Sequence, residues 1–393
     1  MSASPATASS LPVRTARLGV YAAYAAQGLG YATVVTALPQ LKDRYAIDDD
    51  TVSLITLTVV IGAAAGSMVA DRVAVRLGSR AAVILGLALQ AAALLAVATP
   101  VPLPVFWALF GVYGVGLGCV DASAAMQGVI VQRRIGLAVM ASFFAANTAA
   151  SIVGALVMSA GAGTALGASL GLTVAGLGAA AVAVAGRRVL DPARERAAEA
   201  GGERPALPLR GLFVVGMVVF AAFTADSTVS TWSTVHMTDG VGATATVAPL
   251  GYAVYAGFTL ITRLTSDLVV RRYGRAHLAV ATVAVAIAGL VLAGLVPAVW
   301  AALLGFALAG LGVGALVPLA YAAAGDLDPR RSDEIVARVN LFTYPGSLIG
   351  AVLPGLLAAG TGMGASFLLA AVLLLPALGA VRHFRARGEA RAA

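Results

Sequence analysis

Charge is scarce in this chain. Of 393 residues only 11% are Asp, Glu, Lys or Arg, where soluble domains carry about a quarter. Hydrophobic residues make up 60%, and the mean hydropathy is +0.92. That composition excludes an ordinary water-soluble globule and points to a membrane protein. Lysine is nearly absent, Lys42 being the only one. A Walker A loop needs Gly-x4-Gly-Lys-Ser/Thr, with the lysine reaching the phosphates, so ATP hydrolysis by that route is excluded. The lone cysteine, Cys119, excludes an internal disulfide and a thiolate metal cluster. The three histidines, His236, His277 and His383, fall near predicted helix ends at no metal-ligand spacing. No Ser-His-Asp or Cys-His arrangement stands out, so neither an enzyme nor a bound cofactor or metal is expected.

What the chain has in abundance is apolar length. A bilayer crossing needs about 20 residues. Twelve runs qualify: 17–38, 51–74, 79–99, 103–130, 136–160, 164–186, 210–236, 245–269, 275–296, 298–323, 334–359 and 362–382. Short separators with Pro100, Pro102, Gly161, Gly163, Pro297, Gly360 and Gly362 divide them. The expected fold is all-α and polytopic, with twelve transmembrane helices in two pseudo-symmetric six-helix bundles. The expected organisation is an N-terminal segment 1–16, a first bundle 17–186, a linker 187–209, a second bundle 210–382 and a tail 383–393. The first apolar run is too long for a typical signal peptide and reads as an uncleaved helix.

Arginine placement sets the expected orientation. With twelve crossings, every arginine but Arg44 falls on one side. The other side holds Lys42 and Arg44 beside Asp48, Asp49 and Asp50. The positive-inside rule then puts both termini in the cytoplasm of a cell inner (plasma) membrane protein. The formal charge of +8 is accordingly a topology signal, aided by anionic lipid. The arginines are spread over seven segments with few aromatic neighbours, so nucleic acid is not an expected partner.

The chain also repeats itself. A shift of 196 positions lays Asp71 on Asp267, Arg76 on Arg272, Gly78 on Gly274, and Gly114-x-Gly-x-Gly118 on Gly310-x-Gly-x-Gly314. One offset serving separate stretches indicates a duplicated half. The glycine runs lie inside apolar helices with no preceding strand, so they read as close helix contacts and not as dinucleotide loops.

Two six-helix halves, a polar central linker and a D-R-x-G-R-like turn after helix 2 make the chain resemble the major facilitator superfamily. Pro39 at the expected end of helix 1, "GLGCVDASAAMQ", "DSTVSTWSTVHM", "LGYAVYAGFTLITRLTSDLVVRRYG" and "YPGSLIGAVLPG" are similar to its branch of fucose-permease-like and MosC-like permeases. Three departures stand out. Five residues separate Asp71-Arg72 from Gly78, helix 4 has no Asn near Ala125, and helix 5 has no His near Phe144. The resemblance implies a monomeric secondary transporter of a small molecule, working by alternating access around a cavity lined by helices 1, 4, 7 and 10. It also implies a cytoplasmic gate at Asp71, Arg72, Arg76, Gly78 and Arg80 and at Asp267, Arg271, Arg272 and Gly274.

Two carboxylates fall inside apolar runs, Asp226 and Asp121. A charge at mid-bilayer costs about 2.5–3.5 kcal/mol on insertion scales, so such groups are rare and functional by default. Neither has a basic residue in its own helix core. Asp226, with Asp121 second, is the expected proton-coupling group; the bland reading is a protonated Asp bonding a neighbouring helix. The run Thr224 to Thr234 around Asp226 reads as a wet, discontinuous wall. Gln27, Tyr31, Asn147, Ser230, Trp232, Asn340 and Tyr344 are candidate cavity residues, with interhelical hydrogen bonding the competing reading. Asn147 and Asn340 are expected at similar depths. For Trp232, stacking on a ligand competes with a place in an aromatic belt. Carboxylates without basic partners disfavour an anionic cargo. The alternatives are a drug or metabolite efflux antiporter for hydrophobic or cationic compounds and, from another class, a non-transporting receptor with the same fold.

Overall fold

The computed structural model describes residues 11–135, 139–164, 166–192, 208–327, 335 and 338–380. These residues form α-helices and no strand: α1 (Val13–Tyr45), α2 (Asp49–Leu77), α3 (Ser79–Val97), α4 (Leu103–Ile135), α5 (Met140–Ala162), α6 (Ala168–Val189), α7 (Leu209–Val235), α8 (Ala248–Tyr273), α9 (Arg275–Leu295), α10 (Val299–Leu327), α11 (Thr343–Thr361) and α12 (Gly364–Gly379). Among the described residues, nine spans are both long and apolar enough to cross a membrane. α1, α8 and the shorter α12 fall outside that set. Most of the expected linker, 193–207, and all of the expected tail, 383–393, lie outside the described residues.

The chain divides into two compact units, 1–37 with 55–201, and 38–54 with 202–393. The turn joining α1 to α2 is thus grouped with the second unit. In the first unit α3 packs on α4 and α6; in the second α9 packs on α10 and α12, with α7 on α11. The core of the first unit includes Val83, Leu87, Val120 and Phe143. That of the second centres on α7 and takes in Trp232, Phe306 and Phe367.

The repeat is visible in the backbone. Gly78 and Gly274 each link two helices at positive φ, 92° and 80°, with ψ 155° and 158°. Their amides bond Ala74 O and Val270 O at the same 2.9 Å. This left-hand region favours glycine because a Cβ there meets the backbone. The glycine runs match as well. A Cβ on Gly114 would lie 2.4 Å from Val59 O, and one on Gly118 would lie 1.8 Å from Ala63 O. Gly310 and Gly314 face Tyr255 O and Thr259 O in the same way. Helix-on-helix approach, with no room for a side chain, is what these residues provide.

Several boundaries differ from expectation. α1 runs through Pro39 to Tyr45 instead of ending at it, because one freed carbonyl is tolerated when neighbours can satisfy it. Lys42 and Arg44 lie in its last turn, where cations suit the helix dipole. Asp48 starts α2 by accepting the Thr51 amide at 2.9 Å, and the Thr51 bonds hold its carboxyl below the ordinary value. α11 begins at Thr343 after a turn at Leu341–Phe342, so Asn340 precedes this helix while Asn147 sits two turns inside α5.

Candidate functional site

Each unit holds a carboxylate well inside a membrane-length helix, Asp121 on α4 and Asp226 on α7. In the second unit Asp226 is half-buried on α7. Tyr255 of α8 donates its hydroxyl proton to Asp226 Oδ1 at 2.6 Å. The guanidinium of Arg263, two turns further along α8, acts electrostatically on both groups. Asp226 has no basic residue in its own helix core, as read from the sequence, but α8 brings one within electrostatic reach. Arg263 lies eleven residues (274 − 263) before Gly274, about three helical turns inside α8, and not in the turn between helices 8 and 9. Hydropathy hid it, although a basic residue inside a spanning run is itself a functional signal.

In the first unit Asp121 is exposed on α4. Gln27 of α1 donates from Nε2 to Asp121 Oδ1 at 2.6 Å and to Leu117 O at 3.1 Å. Gln90 of α3 donates to Gln27 Oε1 at 2.7 Å. Three helices are thereby joined by one chain of side-chain bonds. The nearby glycines make the close helix contacts, and the carboxylate is left to the amides.

The other cavity candidates scatter. Trp232 is fully buried and donates Nε1 to Ala351 O at 2.8 Å. It locks α7 to α11, so it serves neither as an exposed stacking plate nor as an aromatic-belt residue. Ser230 is buried beside it. Thr224 and Thr228 bond back to the carbonyls of Phe220 and Thr224. The polar run therefore belongs to a continuous helix packed in the unit, not to a broken wet wall; local back-bonding absorbs the Thr224 and Thr228 hydroxyls, while those of Ser233 and Thr234 are buried without a partner among the described residues. The irregular stretch comes later, in a π-helical turn at His236–Gly240. Asn147 donates to Tyr24 O at 3.1 Å, and Tyr31 is half-buried on α1. Asn340 accepts from Tyr321 at 2.6 Å, near the exposed Tyr344.

Of the expected gate residues, Asp71, Arg72 and Arg76 are exposed. Arg72 reaches Met68 O at 3.4 Å and Arg80 reaches Arg187 O at 3.3 Å. Arg272 lies over the Tyr273 ring at 5.5 Å. The side chains of Asp267 and Arg271 lie outside what the structure describes.

Two ion-pair clusters escaped the sequence reading. Arg134 pairs with the fully buried Asp191 after α6, and Gln127 bonds Ser79 and both backbone groups of Asp191. At the far end of the second unit, Lys42 Nζ donates to Asp49 Oδ1 and Asp239 Oδ2, each at 2.5 Å. Burial pulls the Lys42 pKa down, but the two carboxylates outweigh it and hold the ammonium above its ordinary value.

Helical spans carrying internal carboxylates, within a duplicated scaffold, fit a membrane transporter. Solved structures agree on the fold. A bacterial homolog of the human lysosomal transporter Spinster, in an inward-facing and occupied conformation, matches with TM-score 0.68 at 14% identity, over 93% of this chain and 95% of that one. The nucleoside transporter NupG matches with TM-score 0.71 at 13% identity, over 94% and 98%. The family model of the Major Facilitator Superfamily matches residues 20–235 and 214–392, and the chain belongs to that family. Curated relatives include an uncharacterized MFS-type transporter of Yersinia pestis, 27% identical over 364 residues, covering 90% of this chain and 92% of that protein. A transporter of Sinorhizobium fredii is 29% identical over 350 residues, 86% and 90% of the two chains. The membrane protein MosC of Rhizobium meliloti is 25% identical over 157 residues, 40% and 39%. The protein is thus a multi-pass membrane transporter, in a family that is not an enzyme class.

Proposed function

We propose that this transporter is a proton-coupled secondary transporter that moves a small solute by alternating access. It would lie in a prokaryotic inner membrane with both termini cytoplasmic. The observation that carries the reading is Asp226, a half-buried carboxylate in a spanning helix whose Oδ1 is occupied by the Tyr255 hydroxyl. Oδ2 is then the oxygen that takes and releases the proton, while Arg263 offers the counter-charge that makes the ionised state bearable. Asp121, held by Gln27, is the second proton-exchanging group. The matched turns at Gly78 and Gly274 support a gating role for the Asp71–Arg80 stretch and its copy. Asp71→Asn is expected to change the inward/outward balance while substrate binding persists.

The test is solute uptake into proteoliposomes under an imposed pH gradient, using a solute found by a thermal-shift screen. Asp226→Asn should abolish the response to the gradient, and a wild-type rate in that variant rejects the assignment. A second reading, export of cationic compounds, draws support from Asp121, an exposed carboxylate bonded by an amide. Cation-dependent dissipation of the gradient in Asp226→Asn would favour it.

A further inference from the structure

The side chains bonded in series to Asp121 differ in how far they open to the surroundings. Asp121 is exposed, whereas Gln27 and Gln90 behind it are 4% and 0% exposed. The sense of each amide follows from its partners. Leu117 O can only accept, so the end of Gln27 that reaches it at 3.1 Å, and Asp121 Oδ1 at 2.6 Å, is Nε2 with both hydrogens engaged. Gln27 Oε1 is then an acceptor, and the group 2.7 Å from it is the Gln90 nitrogen. That choice leaves Gln90 Oε1 buried with no hydrogen-bond partner among the described residues, a costly condition. Turning the Gln90 amide over would not relieve it, since oxygen would then face oxygen at Gln27. Gln90 thus gives up a bond of its own in order to donate. Packing fixes its place: a Cβ on Gly116 would stand 2.9 Å from its Cγ, and one on Gly30 would stand 3.4 Å from its Oε1.

This chain of amides has a second sense. In it Gln27 would present Oε1 to Asp121, which suits only a protonated carboxyl, and would set that oxygen against Leu117 O. We infer that Gln90 is a positioning residue for proton release at Asp121: by donating to Gln27 Oε1 it keeps Gln27 Nε2 turned to the carboxylate and so favours the ionised form. The donation also polarises the Gln27 amide and strengthens its N–H bond to Asp121. Gln90 acts through Gln27, the residue that bonds the carboxylate. The other groups around Asp121 do not supply this control. α1 presents Tyr24, within electrostatic reach of Asp121, and α5 packs Phe143 and Phe144 against that ring. α2 meets α4 here through Ala63 and Ser67. Among these described side chains Tyr24 is the titratable one, and phenols ionise at about pH 10, above the range in which a carboxyl exchanges protons. The role presupposes that Asp121 exchanges protons, the reading proposed above.

The experiment follows the carbonyl band of the protonated Asp121 carboxyl by infrared difference spectroscopy, on the full-length protein in liposomes, from about pH 5 to about pH 9. The probe is the proton itself, and the band is assigned by its loss in Asp121→Asn. Gln27→Met removes the donor and should move the midpoint of the band upward by about one pH unit, a tenfold change in proton affinity. Gln90→Met, close in shape but without a donor, should move it upward by about half as much. The double variant should match Gln27→Met alone, because the second change has nothing left to act through. A residue that only fills space would lower the unfolding midpoint and leave the band in place. If Gln90→Met does not fold, the smaller Gln90→Leu replaces it in the same comparison. The absence of a titrating band that Asp121→Asn removes would reject proton exchange at Asp121, and the role of Gln90 with it. A titrating band that Gln90→Met leaves in place or moves downward, or a double variant shifted beyond Gln27→Met, overturns the positioning role alone.

Discussion

The two units share a scaffold and differ in what they hang on it. Under the 196-residue shift Gly114 and Gly118 overlay Gly310 and Gly314, and their backbone targets Val59 and Ala63 overlay Tyr255 and Thr259. The carboxylates do not overlay. Asp121 falls on Val317 (121 + 196), and Asp226 falls on Gly30 (226 − 196). The first unit bonds its carboxylate with a neutral amide, Gln27 of α1, which Gln90 of α3 in turn holds. The second gives it a phenol and a guanidinium within electrostatic reach. Duplication preserved the close helix approaches, where any side chain would collide, and left the polar positions free to diverge. An amide-held carboxylate suits a neutral or cationic partner. One beside an arginine is poised for charge exchange without leaving a bare charge in the protein.

The contrast can be tested first at the ion pairs. Asp191 is fully buried beside Arg134, whereas Asp326 is 45% exposed beside Arg275. Arg134→Met should cost about 4 kcal/mol by stranding a buried carboxylate, and Arg275→Met no more than about 1 kcal/mol. Unfolding midpoints in detergent compare the two; equal losses would show that burial is not what separates them. Next come the glycines. Gly118→Ala meets Ala63 O at 1.8 Å, while Gly314→Ala meets Thr259 O at 2.8 Å. The former should cost about 3 kcal/mol and the latter about 1 kcal/mol, as overpacking does. The same unfolding assay reads both.

At the carboxylates, Asp226→Asn should lower gradient-driven uptake on the order of a hundredfold, and Tyr255→Phe about tenfold. Asp121→Asn and Gln27→Leu should act less. Uptake lost more in Asp121→Asn than in Asp226→Asn would reverse the assignment of the two sites. The smallest effect concerns Lys42. Its pKa is raised in the folded state above the ordinary 10.5. The stability it contributes is therefore fully present below that pH and is lost as pH climbs through the folded value. The Tm gap between wild type and Lys42→Met should be constant near neutrality and close in strongly alkaline buffer. A gap that widens there would mean that Lys42 stabilises by packing its stem and not by its charge.

How legible the site was can be judged residue by residue. Asp121 and Asp226 were visible because a carboxylate in an apolar run is conspicuous on its own. Their partners were not. Tyr255 lies 29 positions from Asp226 and Gln27 lies 94 from Asp121, and which faces of two helices meet depends on packing, not on either helix alone. Trp232 and the Thr224–Thr234 run misled for the same reason. Their composition reads as a wet surface, while α7 is covered on nearly every side within its unit, so the run is buried whichever face a residue occupies. Arg263 shows the same limit: it lies inside the run 245–269, and only the packing of α8 on α7 brings it within electrostatic reach of Asp226. The Lys42 clamp was missed because Asp239 comes 197 residues later, at a π-helical turn that hydropathy does not mark.

The sequence by itself determined the helical membrane class, the duplicated halves and the places where helices approach without side chains. Those properties rest on apolar length and on glycine, which act locally and need no partner to be recognised. The tertiary structure decided which carboxylate has a basic neighbour, which polar side chains are consumed by packing, and which distant carboxylates share one ammonium. Those properties depend on which faces of distant helices meet, and that is settled only when apolar surfaces have been packed and each buried polar group has found, or failed to find, its partner.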